Sequence, residues 1–226
     1  MSGKARSFLV DHFDDLHTQQ ETAKLGMWLF LASEILFFGG LFAAYAVYRG
    51  NHPEMFRYGQ HFLDWRMGAI NTVVLIGSSL SAAWSVRAAQ RNDQRGLVAT
   101  LVITLALAGV FLVVKYLEYN HKLHGGVFWG AGFAPTAELL ASLPAQAQAL
   151  PVPANMGTFF SIYYAMTGLH GVHVLVGMGL YGWLLGRARR GDFSADYFAP
   201  VDVVALYWHL VDMIWIFLFP LLYLIG

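Results

Sequence analysis

From about residue 24 onward the chain is dominated by long apolar runs separated by short polar breaks. A helix that crosses roughly 30 Å of hydrocarbon needs about 20 mostly apolar residues. Five stretches meet that length, at about 24–49, 68–90, 97–119, 155–186 and 200–225. The segment between the first two carries Pro53, Glu54, Arg57, Asp64 and Arg66, which do not belong in hydrocarbon, and it reads as a loop. Arg91 to Gly96 forms a short polar turn that makes the second and third helices antiparallel neighbours. The longest connection, about residues 120–154, is rich in Ala, Gly and Pro and nearly free of charge. It reads as an ordered outer lid or a short surface helix. The pattern predicts an all-α fold: a polytopic membrane helical bundle with about five transmembrane helices, spanning residues 23–226.

Composition supports that pattern and removes several function classes. Hydrophobic residues make up 57% and charged residues 12% of the 226, with a mean hydropathy of +0.50. Soluble domains carry about 25% charged residues, so this chain lacks the polar surface of a water-soluble globule. Fourteen basic and fourteen acidic residues give zero net charge, which leaves no electrostatic footprint for nucleic acid. The absence of cysteine excludes disulfides, thiolate chemistry, iron–sulfur clusters and cysteine-held zinc. No nucleotide loop, nucleophile elbow or zinc motif is present. Internal repeats of the kind transporters show are missing too.

Residues 1–22 have few bases and no cleavable apolar run, so they read as a retained cytoplasmic tail and not as a signal peptide. With that end cytoplasmic, Lys4, Arg6, Lys24, Arg87, Arg91, Arg95, Arg187, Arg189 and Arg190 gather on one side. Arg49, Arg57, Arg66, Lys115 and Lys122 fall on the other. The positive-inside rule then predicts a cytoplasmic N-terminus and an outer C-terminus, and the unprocessed N-terminus points to a bacterial plasma membrane and not an organelle.

Polar residues inside the spans are the candidate chemistry. A charged side chain near the bilayer centre costs about 2.5–3.5 kcal/mol on insertion scales, so such groups face protein and find partners. At 1.5 Å per residue, Glu34 lies roughly 15 Å beyond Lys24, and His209 and Asp212 roughly 14 and 18 Å beyond Pro200. His170 and His173 form an i, i+3 pair on the fourth span, and His209 and Asp212 form another on the fifth. Each pair projects from one side of its helix. Glu34, His170, His173, His209 and Asp212 are therefore expected to form a buried polar network. Two readings stand: a metal or haem site, or a hydrogen-bonded knot that fixes packing, the commoner fate of buried polar groups. A di-iron bundle site would want two Glu-x-x-His pairs, and none is present.

Lys115 and Glu118 form a secondary pair near the outer end of the third span, read either as part of a proton or ion path or, more commonly for such pairs, as charges that snorkel among interfacial tyrosines. Trp28, Trp65, Trp129, Trp183 and Trp208 are expected at the interface or against lipid. Gly168, Gly171, Gly177 and Gly179, with the Gly182/Gly186 pair, are expected to let neighbouring helices approach the fourth span closely.

Several runs, in order, carry a family resemblance: Trp28-Leu-Phe-Leu-Ala-Ser-Glu34-Ile-Leu-Phe-Phe; Asn71-Thr72 with Gly77-Ser78-Ser79; Lys115-Tyr-Leu-Glu118-Tyr119; Met166-Thr-Gly168-Leu-His170-Gly171-Val-His173-Val with Gly177; and Tyr207-Trp208-His209-Leu-Val-Asp212-Met-Ile-Trp215-Ile-Phe217. The sequence resembles subunit III of the haem–copper respiratory oxidases, which reduce oxygen with electrons from cytochrome c or quinol. The resemblance covers about residues 20–226 and is to a five-helix form lacking the first two of seven helices. It implies an accessory subunit with no reaction centre of its own and no cofactor in this chain. Haem and copper then belong to a partner, catalytic subunit I, with other oxidase subunits and membrane phospholipid also in contact. It further implies support of assembly, proton uptake and stability of that subunit, with Glu34 as the family's buried carboxylate and no metal on the histidines. Two other functions remain open at this point: a similar accessory role beside a nitric oxide reductase, or an independent b-type cytochrome using His173 and His209, or His170, as axial ligands.

Overall fold

The computed structural model describes residue 13 and residues 15–224. Among these residues the chain forms eight α-helices and no strand: α1 (Leu16–Asn51), α2 (Pro53–Gly59), α3 (Trp65–Gln90), α4 (Gln94–His124), α5 (Ala137–Ser142), α6 (Ala145–Gln148), α7 (Met156–Arg189) and α8 (Ala199–Phe219). A π-helical turn, Pro220–Leu224, prolongs α8. Five helices are long and apolar enough to cross a membrane: α1, α3, α4, α7 and α8 with its π turn. The fold is thus an all-α polytopic bundle. The predicted tail, residues 1–22, lies mostly outside the described residues, and helix already begins at Leu16.

The predicted loop at 49–67 folds instead as α2 and a 3-10 turn. Pro53 occupies the first helical turn, where its missing N–H costs nothing. Glu54 in that turn and Arg57 in the last complement the helix dipole. Met55, Phe56 and Tyr58 are buried, so α2 is held by its apolar face. The 120–154 connection contains α5 and α6. α4 runs to His124 and is stopped at Gly126, whose φ of +78° suits glycine. A Cβ there would stand 2.1 Å from the Ala134 carbonyl oxygen. Thr136 caps α5 by accepting the Leu139 N–H at 3.3 Å. In the tight turn between α3 and α4, Asn92 takes the left-handed conformation with φ +56°, which asparagine tolerates. Asp93 caps α4 by accepting the Gly96 N–H at 2.9 Å.

The described chain forms two compact units whose boundaries fall inside the long helices. The first unit comprises residues up to Leu36, with Leu75–Gly109 and His173–Asp212. The second comprises Phe37–Val74, Val110–Val172 and the chain from Met213 onward.

In the first unit, Trp208 is fully buried, correcting its expected interfacial position. Its ring lies against Gly177, where a Cβ would come within 2.4 Å, and meets Tyr181 edge-on at 5.3 Å. Of the fourth-span glycines named above, Gly177 alone has such a close neighbour. A Cβ added at Gly168, Gly171, Gly179, Gly182 or Gly186 would meet nothing within 4 Å. Glycine spacing shows where close approach is possible, and a large ring must be delivered there before it occurs. Ser81 and Thr104 join α3 to α4 through a 2.6 Å hydroxyl pair. The start of α1 is tied down by Gln20, which donates to the Asp196 carbonyl at 2.9 Å, and by a Lys24–Asp202 ion pair at 2.8 Å.

In the second unit, edge-to-face rings form much of the core. Phe56 meets Tyr45 and Phe159, and Phe160 meets Phe62 and stacks on Phe133. Gly59 makes room for Phe159, since a Cβ there would lie 2.5 Å from its ring. The Tyr45 hydroxyl donates to the Leu221 carbonyl in the π turn, whose wider spiral and Pro220 free backbone acceptors.

Large apolar side chains point outward: Leu36 is 77% and Val73 70% exposed. Such exposure is tolerable when the solvent is lipid or a partner.

Candidate functional site

The second unit holds a compact charged cluster. Lys115, Glu118 and Lys122 are spaced i, i+3, i+7 on α4, so all three share one face. Glu118 Oε2 accepts from Lys115 Nζ at 2.8 Å. Its Oε1 accepts from Lys122 Nζ at 2.6 Å, from the Tyr223 hydroxyl at 2.7 Å and from the Tyr163 hydroxyl at 2.9 Å. Lys115 also donates to Tyr223 at 3.0 Å and Tyr163 at 3.2 Å. The rings of Tyr119, Trp215, Tyr163 and Tyr223 surround its ammonium at 5.1–5.7 Å.

All three charged residues are buried, at 7%, 3% and 3% exposure. The expected snorkelling pair is therefore an enclosed triad, because tyrosines from α7 and the π turn cover Glu118 and bring donors with them. Sequence reasoning missed Lys122, Tyr163 and Tyr223. The i, i+7 spacing of Lys122 was a usable signal, whereas the tyrosines come from distant segments. Beside the triad opens a cavity of about 320 Å³ lined in part by His61, Asp64, Glu118, His121 and Lys122. Chemically the triad is a lock joining α4, α7 and the C-terminal turn, since every oxygen of its carboxylate is occupied by donors from the chain itself.

His170, also in the second unit, is fully buried. Its ring packs against Phe111 at 5.5 Å and Trp215 at 5.3 Å. Trp215 Nε1 donates to Thr72 Oγ1 at 3.1 Å, joining α8 to α3.

The other four predicted site residues belong to the first unit. His173 Nε2 and Glu34 Oε2 are 3.0 Å apart, at 18% and 16% side-chain exposure, and join α7 to α1. Tyr207 supports them by donating to the His173 carbonyl at 2.9 Å and packing on Phe30. His209 Nδ1 bonds the Ser79 hydroxyl at 2.6 Å, while the adjacent Trp208 Nε1 donates to Ser78 Oγ at 3.1 Å. Asp212 is 3% exposed, and neither of its oxygens makes a hydrogen bond among the described residues. Ser78 and Ser79 were legible as small polar residues in the second span, but their partners were not.

Among the described residues, no group of three or more His, Asp or Glu side chains is placed to hold a metal. Glu34 with His173 and Ser79 with His209 are helix-to-helix pairs.

Comparison with known proteins fits this architecture. A family described as cytochrome c oxidase subunit III matches residues 10–137 and 149–226. The chain is 34% identical to cytochrome c oxidase subunit 3 of Thermostichus vulcanus, over 100% of this chain and 96% of that one. It is 29% identical to quinol oxidase subunit 3 of Bacillus spizizenii, over 92% of this chain and 91% of that one. It is 27% identical to the haem–copper oxidase subunit I+III of Aeropyrum pernix, over 91% of this chain and 23% of that longer one. These relatives are named as oxidase subunits and lend no support to a nitric oxide reductase partner or an independent b-type cytochrome. With the family matched along nearly the whole length of a five-helix membrane chain, the protein belongs to the cytochrome c oxidase subunit III family.

Proposed function

We propose that this chain is the accessory subunit of a haem–copper terminal oxidase in a bacterial plasma membrane, with its N-terminus cytoplasmic and its C-terminus outside. The observation that carries this reading is the family match over almost all of the chain. The relative in which subunits I and III form one polypeptide supports the catalytic subunit as the direct partner. Polar groups that pair across helices, Glu34 with His173 and Ser79 with His209, suit a chain whose work is structural.

In this role haem and copper reside in subunit I, where they supply electron transfer and oxygen reduction. This chain's own residues hold a stable membrane surface beside it. Glu34–His173, Ser79–His209 and the Lys115–Glu118–Lys122 triad fix helix positions in their respective units. The assembled subunit steadies proton uptake and the lifetime of the catalytic centre, and phospholipid fills the apolar outer faces that partners leave uncovered.

The test is affinity purification in mild detergent, with a redox difference spectrum taken before and after this chain is separated from its partners. Haem bands in the complex and none on the separated chain are expected. Stoichiometric haem or metal retained by this chain would overturn the reading. Loss of the chain should leave an oxidase that still reduces oxygen but takes up protons more slowly and inactivates within fewer turnovers.

A further inference from the structure

Near the end of α1 the second unit holds a positively charged cavity that none of the pairings above uses. Its volume is about 420 Å³, and Arg49 and Arg57 both line it, with Tyr45, Ala46, Pro53 and Leu221 among their neighbours. Arg49 lies in the last turn of α1 and Arg57 in the last turn of α2, so two cations reach one space from separate helices. No aspartate or glutamate lines that space.

Neither arginine forms an ion pair among the described residues. The acid nearest to Arg57 in the sequence, Glu54, lies 3.6 Å from His52 instead. What holds Arg49 is neutral: it bonds the Tyr45 hydroxyl, which itself donates to the Leu221 carbonyl. Like charges lining one space repel, and an anion placed between them turns that repulsion into attraction.

The chemistry of the donors and the depth of the cavity narrow the choice of anion. A guanidinium is planar and offers parallel N–H donors that match the oxygens of a phosphate. Arg49 closes the apolar run of α1, so the cavity stands where hydrocarbon gives way to headgroups. Next to it α1 turns large side chains outward, Val47 at 61% and Tyr48 at 44% exposure. A phospholipid joins an anionic phosphodiester to acyl chains, and this place offers cations for the first and an open helix surface for the second.

We propose that Arg49 and Arg57 form a phosphate-binding site, filled by the headgroup of a phospholipid. The proposal rests on the reading of the chain as a membrane subunit and gives its lipid contacts one defined position. The same donors would take inorganic phosphate, so the test separates the two sources.

The test is a phosphorus count on the full chain copurified with its partners, washed in phosphate-free mild detergent and then given phosphatidylglycerol or inorganic phosphate. The wild-type complex is expected to hold one more phosphorus per chain than Arg49→Gln/Arg57→Gln. Gly50 also lines the cavity, and a Cβ there would meet nothing within 4 Å. Gly50→Phe keeps both charges, fills the space and should lose the same phosphorus. Phosphatidylglycerol that added inorganic phosphate does not displace identifies the headgroup, and its replacement by inorganic phosphate identifies the free anion; either supports the site. Equal counts in the wild type and both variants would overturn it, as would binding that survives Gly50→Phe. Haem bands in the same preparation report assembly, so a complex that forms without the extra phosphorus fails this proposal alone. Should a variant fail to assemble, a density map of the wild-type complex decides. A phosphate within about 2.7–3.2 Å of both guanidinium groups supports the site, and an empty cavity or a partner's carboxylate in its place overturns it.

Discussion

Glu118 accepts hydrogen bonds from two ammonium groups and two phenols in a place that water barely reaches. Taking such charges out of water is expensive, so the arrangement is stable only while it is complete. Removing one member of a buried ionic group costs about 3–5 kcal/mol, because the remaining charges are stranded. Glu118→Gln is expected to destabilise the chain by about that much, read as a lower thermal midpoint in detergent. A Lys115→Met/Glu118→Gln/Lys122→Met triple variant, which strands no charge, should recover most of the loss. A triple variant no more stable than Glu118→Gln would show that the triad acts through something other than charge pairing. At Gly177, the Trp208 ring occupies the space that a Cβ would take. Overpacking of this kind costs about 1–3 kcal/mol, so Gly177→Ala should lower stability. Gly182→Ala, where the space is open, should be neutral or stabilising by up to about 1 kcal/mol through helix propensity. Equal effects at the two sites would contradict the observed contact.

At the scale of elements, the helix ends are set by short-range chemistry. Asp15 accepts the Thr18 N–H at 2.7 Å ahead of α1, and this bond to the ionised form holds its carboxyl below the ordinary 3.8. A group whose folded value is depressed stabilises the fold above the unfolded value and loses that contribution as pH falls through the folded one. The first turn of α1 should therefore lose amide protection, taken as the exchange rate relative to that of an unfolded chain at the same pH, as the pH falls below about 4, and Asp15→Ala should show the lower protection at neutral pH. An exchange profile for Thr18 that ignores both changes would remove Asp15 as the cap. In the connection between α4 and α7, Gly126 combines a left-handed backbone with contact to the Ala134 carbonyl. Gly126→Ala adds strain of about 1–2 kcal/mol in that conformation as well as a clash. Limited proteolysis should then cut the 120–154 segment more readily, while Gly130→Ala, strained but unobstructed, should have the smaller effect.

At the scale of the whole molecule, exposed apolar side chains and the distribution of bases govern how the chain meets its surroundings. α1 buries 11% of its membrane window inside the chain and α8 buries 56%. α1 is thus largely given over to lipid or a partner, and α8 to internal packing. Because the chain has no cysteine, single cysteines can report sidedness without background. The proposed orientation predicts that a cysteine replacing Asn92 reacts with an impermeant maleimide only from the cytoplasmic side, and one replacing Gln148 only from outside. The reverse pattern would invert the topology while leaving the fold untouched.

The sequence by itself determined the class of the molecule. Five apolar runs of spanning length and a low charge density can be satisfied only by helices in lipid, because backbone groups there must bond within their own segment. It also marked the residues that matter, since a Glu34 or Asp212 inside a span has to be accommodated. The order of motifs on the five spans pointed to the family. The tertiary structure decided the partners. Glu34 meets His173 and His209 meets Ser79, because α1 packs on α7 and α8 on α3 in a register that no helical spacing encodes. Lys115 and Glu118 looked like an interfacial pair until Tyr163 and Tyr223, 45 and 105 residues away from Glu118, closed over them. Helical periodicity fixes which side chains share a face. What lies opposite that face depends on how separate helices dock, and that is settled by packing over the whole chain.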